Sequence, residues 1–247
     1  MTVQIGERTY TPGQYGKQRQ SAGDLANRYI REWEDRRRKL RGEETGPDMP
    51  PAICFSRKIG VGALEVADIL GEKMGYRVVE REILEHIAHE ADLSKQTVAL
   101  FDERYPGKMA EFLSLAFGEK AFVKSDYARH LFGAVYSLAG MAPTIFVGRG
   151  THLLLPRDRA LAVRSICSKE HRINRLARML NVSEQEAGKT VDRVDKEQRD
   201  FFKYVYDKKD ASPYEFDIII NFDYINRPEA AAEVVALAFR AKFGTPV

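Results

Sequence analysis

The sequence predicts an α/β fold built on a parallel sheet of five strands, and three observations predict it. From residue 52 onward, short apolar runs rich in β-branched residues alternate with longer stretches of helical periodicity. The segments between successive strands are long enough to hold helices, which implies parallel pairing through right-handed crossovers. The first strand runs into a turn with two glycines, Gly60 and Gly62, and then into an amphipathic helix. In that arrangement backbone N–H groups and a helix N-terminus cradle an anion.

Residues 1–20 carry Gly, Gln, Tyr and Pro without periodicity and are expected to form an unstructured tail. Residues 21–41 have helical character, with Ser21 as cap and Leu25, Tyr29, Ile30 and Trp33 near one face. The run Arg36-Arg37-Arg38-Lys39 ends this helix and suits its negative C-terminal dipole. Such a run can serve a nucleic acid or a membrane surface, but the acidic neighbours Glu32, Glu34 and Asp35 favour a solvated helix end. Residues 42–51 read as a linker. Strands are expected at Ala52–Ser56, Arg77–Val79, Thr144–Val147, Leu161–Cys167 and Phe216–Asn221, with a helix over 62–74 between the first two. Helices fill most of 81–141, with breaks near Asp92-Leu93-Ser94 and Tyr105-Pro106-Gly107. Two more cover 169–180 and 183–208, the second opened by a capping box of Ser183 and Glu186. Asn226 and Glu229 repeat that pattern ahead of a last helix ending near Phe243, with Pro228 in its first turn.

The 247 residues suffice for one large α/β domain plus an extension, and 44% hydrophobic with 30% charged residues is ordinary for a soluble globular protein. A formal net charge of +3 does not by itself argue for nucleic acid, which is not expected as a partner. No run of eighteen apolar residues marks a membrane span, and the N-terminus lacks an apolar signal core, so a cytoplasmic protein is expected. Cys54 and Cys167 each lie in an apolar run and read as a pair of buried reduced thiols. With five scattered histidines they give no metal-ligand spacing, so no metal site is assigned to the protein's own side chains.

In open parallel sheets ligands sit at the carboxyl ends of the strands. Those ends carry Ser56, Arg57 and Lys58 after the first strand, Glu80 and Arg81 after the second, and Gly148, Arg149, Gly150 and Thr151 after the third. Arg57, Arg81 and Arg149 on one rim point to an anionic ligand. A second cationic set lies on the paired helices, where Arg172, Arg175 and Arg178 recur every three residues and Arg193, Lys196, Arg199 and Lys203 follow among Asp192, Asp195, Glu197 and Asp200. This is either an exposed helix laced with ion pairs or a lid whose cations close over phosphates. The glycine turn departs from the phosphate-loop pattern G-x-x-x-x-G-K-[ST], because Ala63 and Leu64 stand where lysine and a hydroxyl are required.

Four stretches in order, SRKIGVGALEVADILGEKMGYRVVEREIL, IFVGRGTHLLL, KEHRINRLARMLNVSEQEAGKTVDRVDKEQRDFFKYVYDKKD and YEFDIIIN, give the chain from about 52 to 240 a resemblance to the cytidylate-kinase-like family. These are relatives of the bacterial cytidylate kinases among the P-loop nucleoside monophosphate kinases. The resemblance implies a three-layer P-loop kinase-like fold over 51–247, with a helical insert after strand two and an α-helical lid over about 169–210. It leaves residues 1–50 as an extension of tail, charged helix and linker, with that helix as a possible contact for a protein partner. It also implies ATP with Mg²⁺ and a nucleotide or other small phosphate acceptor. The donor phosphates would lie on Ser56, Arg57, Lys58, Ile59, Gly60, Val61, Gly62, Ala63 and Leu64, with Arg172 and Arg175 at the lid base near the donor nucleotide. The acceptor would meet Glu80, Arg81, Arg149, Asp195 and Lys203, with Tyr204 in the same lid stretch, and the catalytic cations would be Arg57, Lys58, Arg193 and Arg199. Cytidylate kinases carry lysine at the position of Ala63, and the nearer relatives keep Gly-Gly-Arg where this chain has Ala63-Leu64-Glu65. Arg57 or Lys58 would have to supply the missing charge. The altered loop keeps a second reading open, a catalytically weak nucleotide-binding module acting through a protein partner.

Overall fold

A computed structural model describes residues 3–5, 8–10, 15, 20–39, 49–104, 126–209 and 211–244. Its centre is a five-stranded parallel sheet of β3 (Ala52–Arg57), β4 (Arg77–Glu80), β5 (Thr144–Val147), β6 (Ala160–Ile166) and β7 (Ile218–Asn221). The order is β4-β5-β3-β6-β7, so the strand that leads into the glycine turn lies in the middle, flanked by β5 and β6.

Every residue of β3 is buried, as expected of a strand covered on both faces. Ile53 and Phe55 pack with α2 (Ala63–Met74) and the last helix, α8 (Pro228–Phe243). Ala52 and Cys54 face the opposite layer of α3 (Arg81–His89), α4 (Ala91–Arg104) and α5 (Asp126–Met141). This alternation makes the molecule three-layered. The lid is a pair of helices, α6 (Lys169–Leu180) and α7 (Glu184–Tyr206). Ser183 opens α7 with both hydrogen bonds of the expected capping box.

Several expectations need correction. The N-terminal stretch holds a small antiparallel pair, β1 (Val3–Ile5) and β2 (Arg8–Tyr10). Ile5 and Tyr10 are buried against the lid, and that packing supplies what three-residue strands lack on their own. Helix α1 (Ala22–Lys39) packs on α3 and puts Leu25, Ala26 and Tyr29 into the main core. The β1–β2 pair and α1 therefore pack on the rest of the chain, and this apolar face of α1 is already used within it. The side chains of Ile30, Trp33, Glu34 and Arg36 to Lys39, and the expected break at 105–107, lie outside the described residues.

The break expected at 92–94 falls at Glu90 instead, whose extended backbone closes α3. Leu93 is buried in the core, so α4 starts ahead of it. No capping box forms at Asn226, because Arg227 is the N-cap and Pro228 follows directly. Cys54 is buried and Cys167 only half-buried, just beyond β6, and both are free. Burial pushes the Cys54 thiol up to about 12 and the Cys167 thiol up to about 11. Among the described residues no helix is long and apolar enough to cross a membrane.

Candidate functional site

Four side chains of the turn after β3 point into the core, so glycines and backbone line much of the pocket there. Ile59, Val61, Ala63 and Leu64 are all buried. Gly60 and Gly62 take left-handed conformations at φ 82° and 100°, which L side chains rarely adopt. A Cβ on Gly60 would lie 3.0 Å from the Arg172 carbonyl oxygen, so glycine also permits the lid base to sit on the turn. Helix α2 begins immediately after Gly62 without a side-chain cap, which leaves its first N–H groups for the ligand side. Ala63 brings no cation and Leu64 no hydroxyl to this turn.

The lid-base arginines have different tasks. Arg172 is buried and makes a bidentate ion pair with Asp195, at 2.8 and 2.9 Å, that ties α6 to α7. Its Nη1 also lies 3.5 Å from the Ile59 carbonyl oxygen. Arg175 lies over Gly62 and pairs with Glu65 at 2.6 Å, neutralising the carboxylate in the first turn of α2. Arg178 donates to the Asn174 carbonyl on the exposed side of α6. Asp195, expected to face an acceptor, is thus a structural partner of Arg172.

Beside the turn, under α7, a small open cleft of about 40 Å³ gathers Lys58, Arg164, Gln198, Arg199, Phe202 and Lys209. The carboxylate there, Asp195, lies 3.9 Å from Lys58 and is already engaged by Arg172. The cleft therefore carries an excess of positive charge suited to a phosphoryl or carboxylate group. Lys58 lines both this cleft and the glycine turn's own pocket. Arg164 donates to Ser56 at 2.6 Å and lies beside the Phe216 ring. Gln198 donates to the Arg57 carbonyl at 3.0 Å, linking lid and turn. Arg164, Gln198 and Lys209 were not singled out from the sequence. Arg164 had a readable signal, a charge inside an apolar strand, and it stands directly beside Ser56 in the sheet register.

The rim of Arg57, Arg81 and Arg149 does assemble, but with Glu80, Glu82 and Glu85 among the cations. Arg81 lies 3.0 Å from Glu82 and 3.9 Å from Glu85. Arg149 pairs with Glu85 and stacks at 4.0 Å over Phe201. Burial, and then the Arg81 charge, pull Arg149 down to about 9, still charged at neutral pH. Burial also lowers Arg57, with the Glu82 charge opposing. Glu80 is buried beside them. The three-arginine rim is thus a largely self-compensated cluster and not an open cationic pocket. Arg149 itself has φ 55°, and its carbonyl accepts from the Tyr206 hydroxyl at 2.5 Å.

Three expected lid residues are not brought into the cleft. Arg193 pairs with Glu197 at 3.0 Å on the exposed flank of α7, and Lys203 and Tyr204 are exposed outside the cleft lining.

The sequence profile of the cytidylate kinase-like family matches residues 52–224, from β3 through β7. No curated protein matches the chain. Among solved structures, an uncharacterized protein from Eubacterium ventriosum is 19% identical with a TM-score of 0.60, over 77% of this chain and 98% of that one, and shares the fold. A shikimate kinase from Bacteroides thetaiotaomicron gives 11% identity and a TM-score of 0.40 over 77% and 98% of the two chains. The protein TT1252 from Thermus thermophilus gives 20% and 0.39 over 76% and 97%.

Proposed function

The chain belongs to the cytidylate kinase-like family, and on that footing we propose that it is an ATP-dependent phosphotransferase acting on a nucleoside monophosphate or a similar small acceptor. One observation carries the reading: the pocket of the glycine turn at the start of α2 and the cation-lined cleft under the lid share Lys58. Phosphoryl transfer asks for two anions held in line, with cations where charge spreads. In this reading the backbone of 58–63 holds the donor phosphates, and Lys58 replaces from the front of the turn the charge that Ala63 lacks behind it. Arg199 and Arg164 face the transferring group, and Arg57 and Arg149 stand toward the acceptor. Mg²⁺ fits only as a companion of the phosphates. Leu64 occupies the hydroxyl position, Ser56 accepts from Arg164 and Asp195 is held by Arg172, so the turn offers the ion no ready side-chain ligand. The bound ion would spread the charge of the phosphates, and closure of α7 would exclude water from them.

The test is a coupled ATP-consumption assay against a panel of nucleoside monophosphates. Arg199→Ala is the informative variant, because Arg199 is exposed and its loss leaves the core intact. Turnover is expected to fall by about 10²–10³-fold, as for loss of one transition-state cation, with unchanged thermal stability. Unaltered turnover would remove the lid from the mechanism.

A second reading, a nucleotide-binding module with weak or no turnover, is favoured by Ala63, Leu64 and the Glu65–Arg175 pair at the turn. Calorimetry showing ATP binding without consumption of any acceptor would select it.

A further inference from the structure

We infer that the N-terminal hairpin β1–β2 is a built-in stopper on the glycine turn, and that a nucleotide triphosphate and this hairpin compete for the same place. The inference rests on the reading of the turn as a triphosphate site, and it concerns residues that lie outside the family match.

Three contacts carry it. First, Tyr10 lines the pocket over the turn together with Arg57, Gly60, Gly62 and Arg175. The cavity that remains is about 10 Å³, room for about one water molecule and far too little for a phosphoryl group. Second, Tyr10 and Ile5 are 5% and 1% exposed and share an apolar cluster with Ile59 of the turn and with Leu176, Val191 and Val194 of the lid. The hairpin thereby fastens the lid to the turn instead of lying loosely over it. Third, the Tyr15 hydroxyl donates to Asp68 on α2 at 2.5 Å, and Tyr15 lies beside Glu65 and Arg175. The segment is thus anchored on both sides of the turn, on the lid and on α2.

A ligand that needs the uncovered turn binds only the fraction of molecules in which the hairpin is displaced, and its apparent affinity falls by that fraction. The device therefore makes nucleotide affinity depend on residues that touch no nucleotide in the loaded state.

The experiment measures Mg·ATP affinity by calorimetry on the full chain and on its Tyr10→Ala and Ile5→Ser variants, with hydrogen exchange of the hairpin amides followed in the full unsubstituted chain. Both variants are expected to bind at least about tenfold more tightly, as when the open fraction is about a tenth or less. Amides of residues 3–5 and 8–10 are expected to exchange faster once ATP is bound. Equal or weaker affinity in the variants, or hairpin amides protected further by ATP, overturns the stopper while leaving the triphosphate site standing. Absence of ATP binding in all three chains overturns the site reading and the stopper with it. Exchange in the unsubstituted chain decides the matter even if a variant folds poorly.

Discussion

Removing one guanidinium has different consequences at Arg172 and at Arg199, although both carry the same charge on the same lid. Arg172 is 4% exposed, and its partner Asp195 is 8% exposed. Arg172→Ala leaves a buried carboxylate without its bidentate partner, a change that costs about 3–5 kcal/mol. Urea unfolding is expected to show that loss, and much of it should return in a double variant with Arg172→Met and Asp195→Leu, where neither charge is stranded. A drop below about 1 kcal/mol for Arg172→Ala would mean that Asp195 reaches water or Lys58 instead. The sequence showed that arginines line the lid, because their spacing is local. It did not show which arginine is structural, because the partner that decides it lies 23 residues away on another helix. The same reason hid the compensation of Arg57, Arg81 and Arg149. Glu82 and Glu85 follow Arg81 on α3, but only the sheet order β4-β5-β3 brings the three strand ends together.

At the scale of the element, the lid helix α7 shows which local signals can be trusted. Its capping box at Ser183 and Glu186 forms as the spacing predicts, with the Glu186 amide donating to the Ser183 hydroxyl at 3.2 Å. Ser183→Ala is expected to cost about 0.5–2 kcal/mol, read as a lower midpoint in urea, with the helix fraying from its first turn. A midpoint unchanged from the parent would mean that the packing of Ala187 and Val191 alone sets where α7 starts. The matching pattern at Asn226 and Glu229 forms no box, since Pro228 fixes the first turn one residue later than that pattern requires. The long central strands were legible from burial on both faces, which leaves unbroken apolar runs. The hairpin was not, because three-residue strands gain their stability from Ile5 and Tyr10 meeting the lid and not from their own pattern.

At the largest scale, the buried apolar side chains among the described residues form three clusters, one on each face of the sheet and one between hairpin, glycine turn and lid. Beside the sheet, the loop ahead of β6 and the short turn ahead of β7 meet through a polar pair whose titration should govern acid stability. His152 is 3% exposed, stacks on Phe216 at 4.7 Å between ring centres, and holds its Nε2 3.5 Å from Glu215. Burial pulls the imidazole below its ordinary value, against the raising effect of Glu215. Glu215 is held down to about 2, first by His152 and then by Lys208, whose Nζ lies 2.7 Å away. Both groups therefore bind a proton less readily when folded than when unfolded. The unfolded chain takes up more protons as pH falls, so the stabilisation is complete above the unfolded values and shrinks below them. For His152 the decline begins as pH drops below the ordinary imidazole value of 6.5, and for Glu215 it runs from 4.5 toward about 2. The urea midpoint is expected to fall between pH 7.5 and 5.5, and to fall again between pH 4.5 and 3. In His152→Gln, which keeps a polar side chain but cannot titrate there, the first decline should be smaller while the second persists. An equal first decline in that variant would place the titrating group elsewhere and leave His152 as a packing residue beneath Phe216.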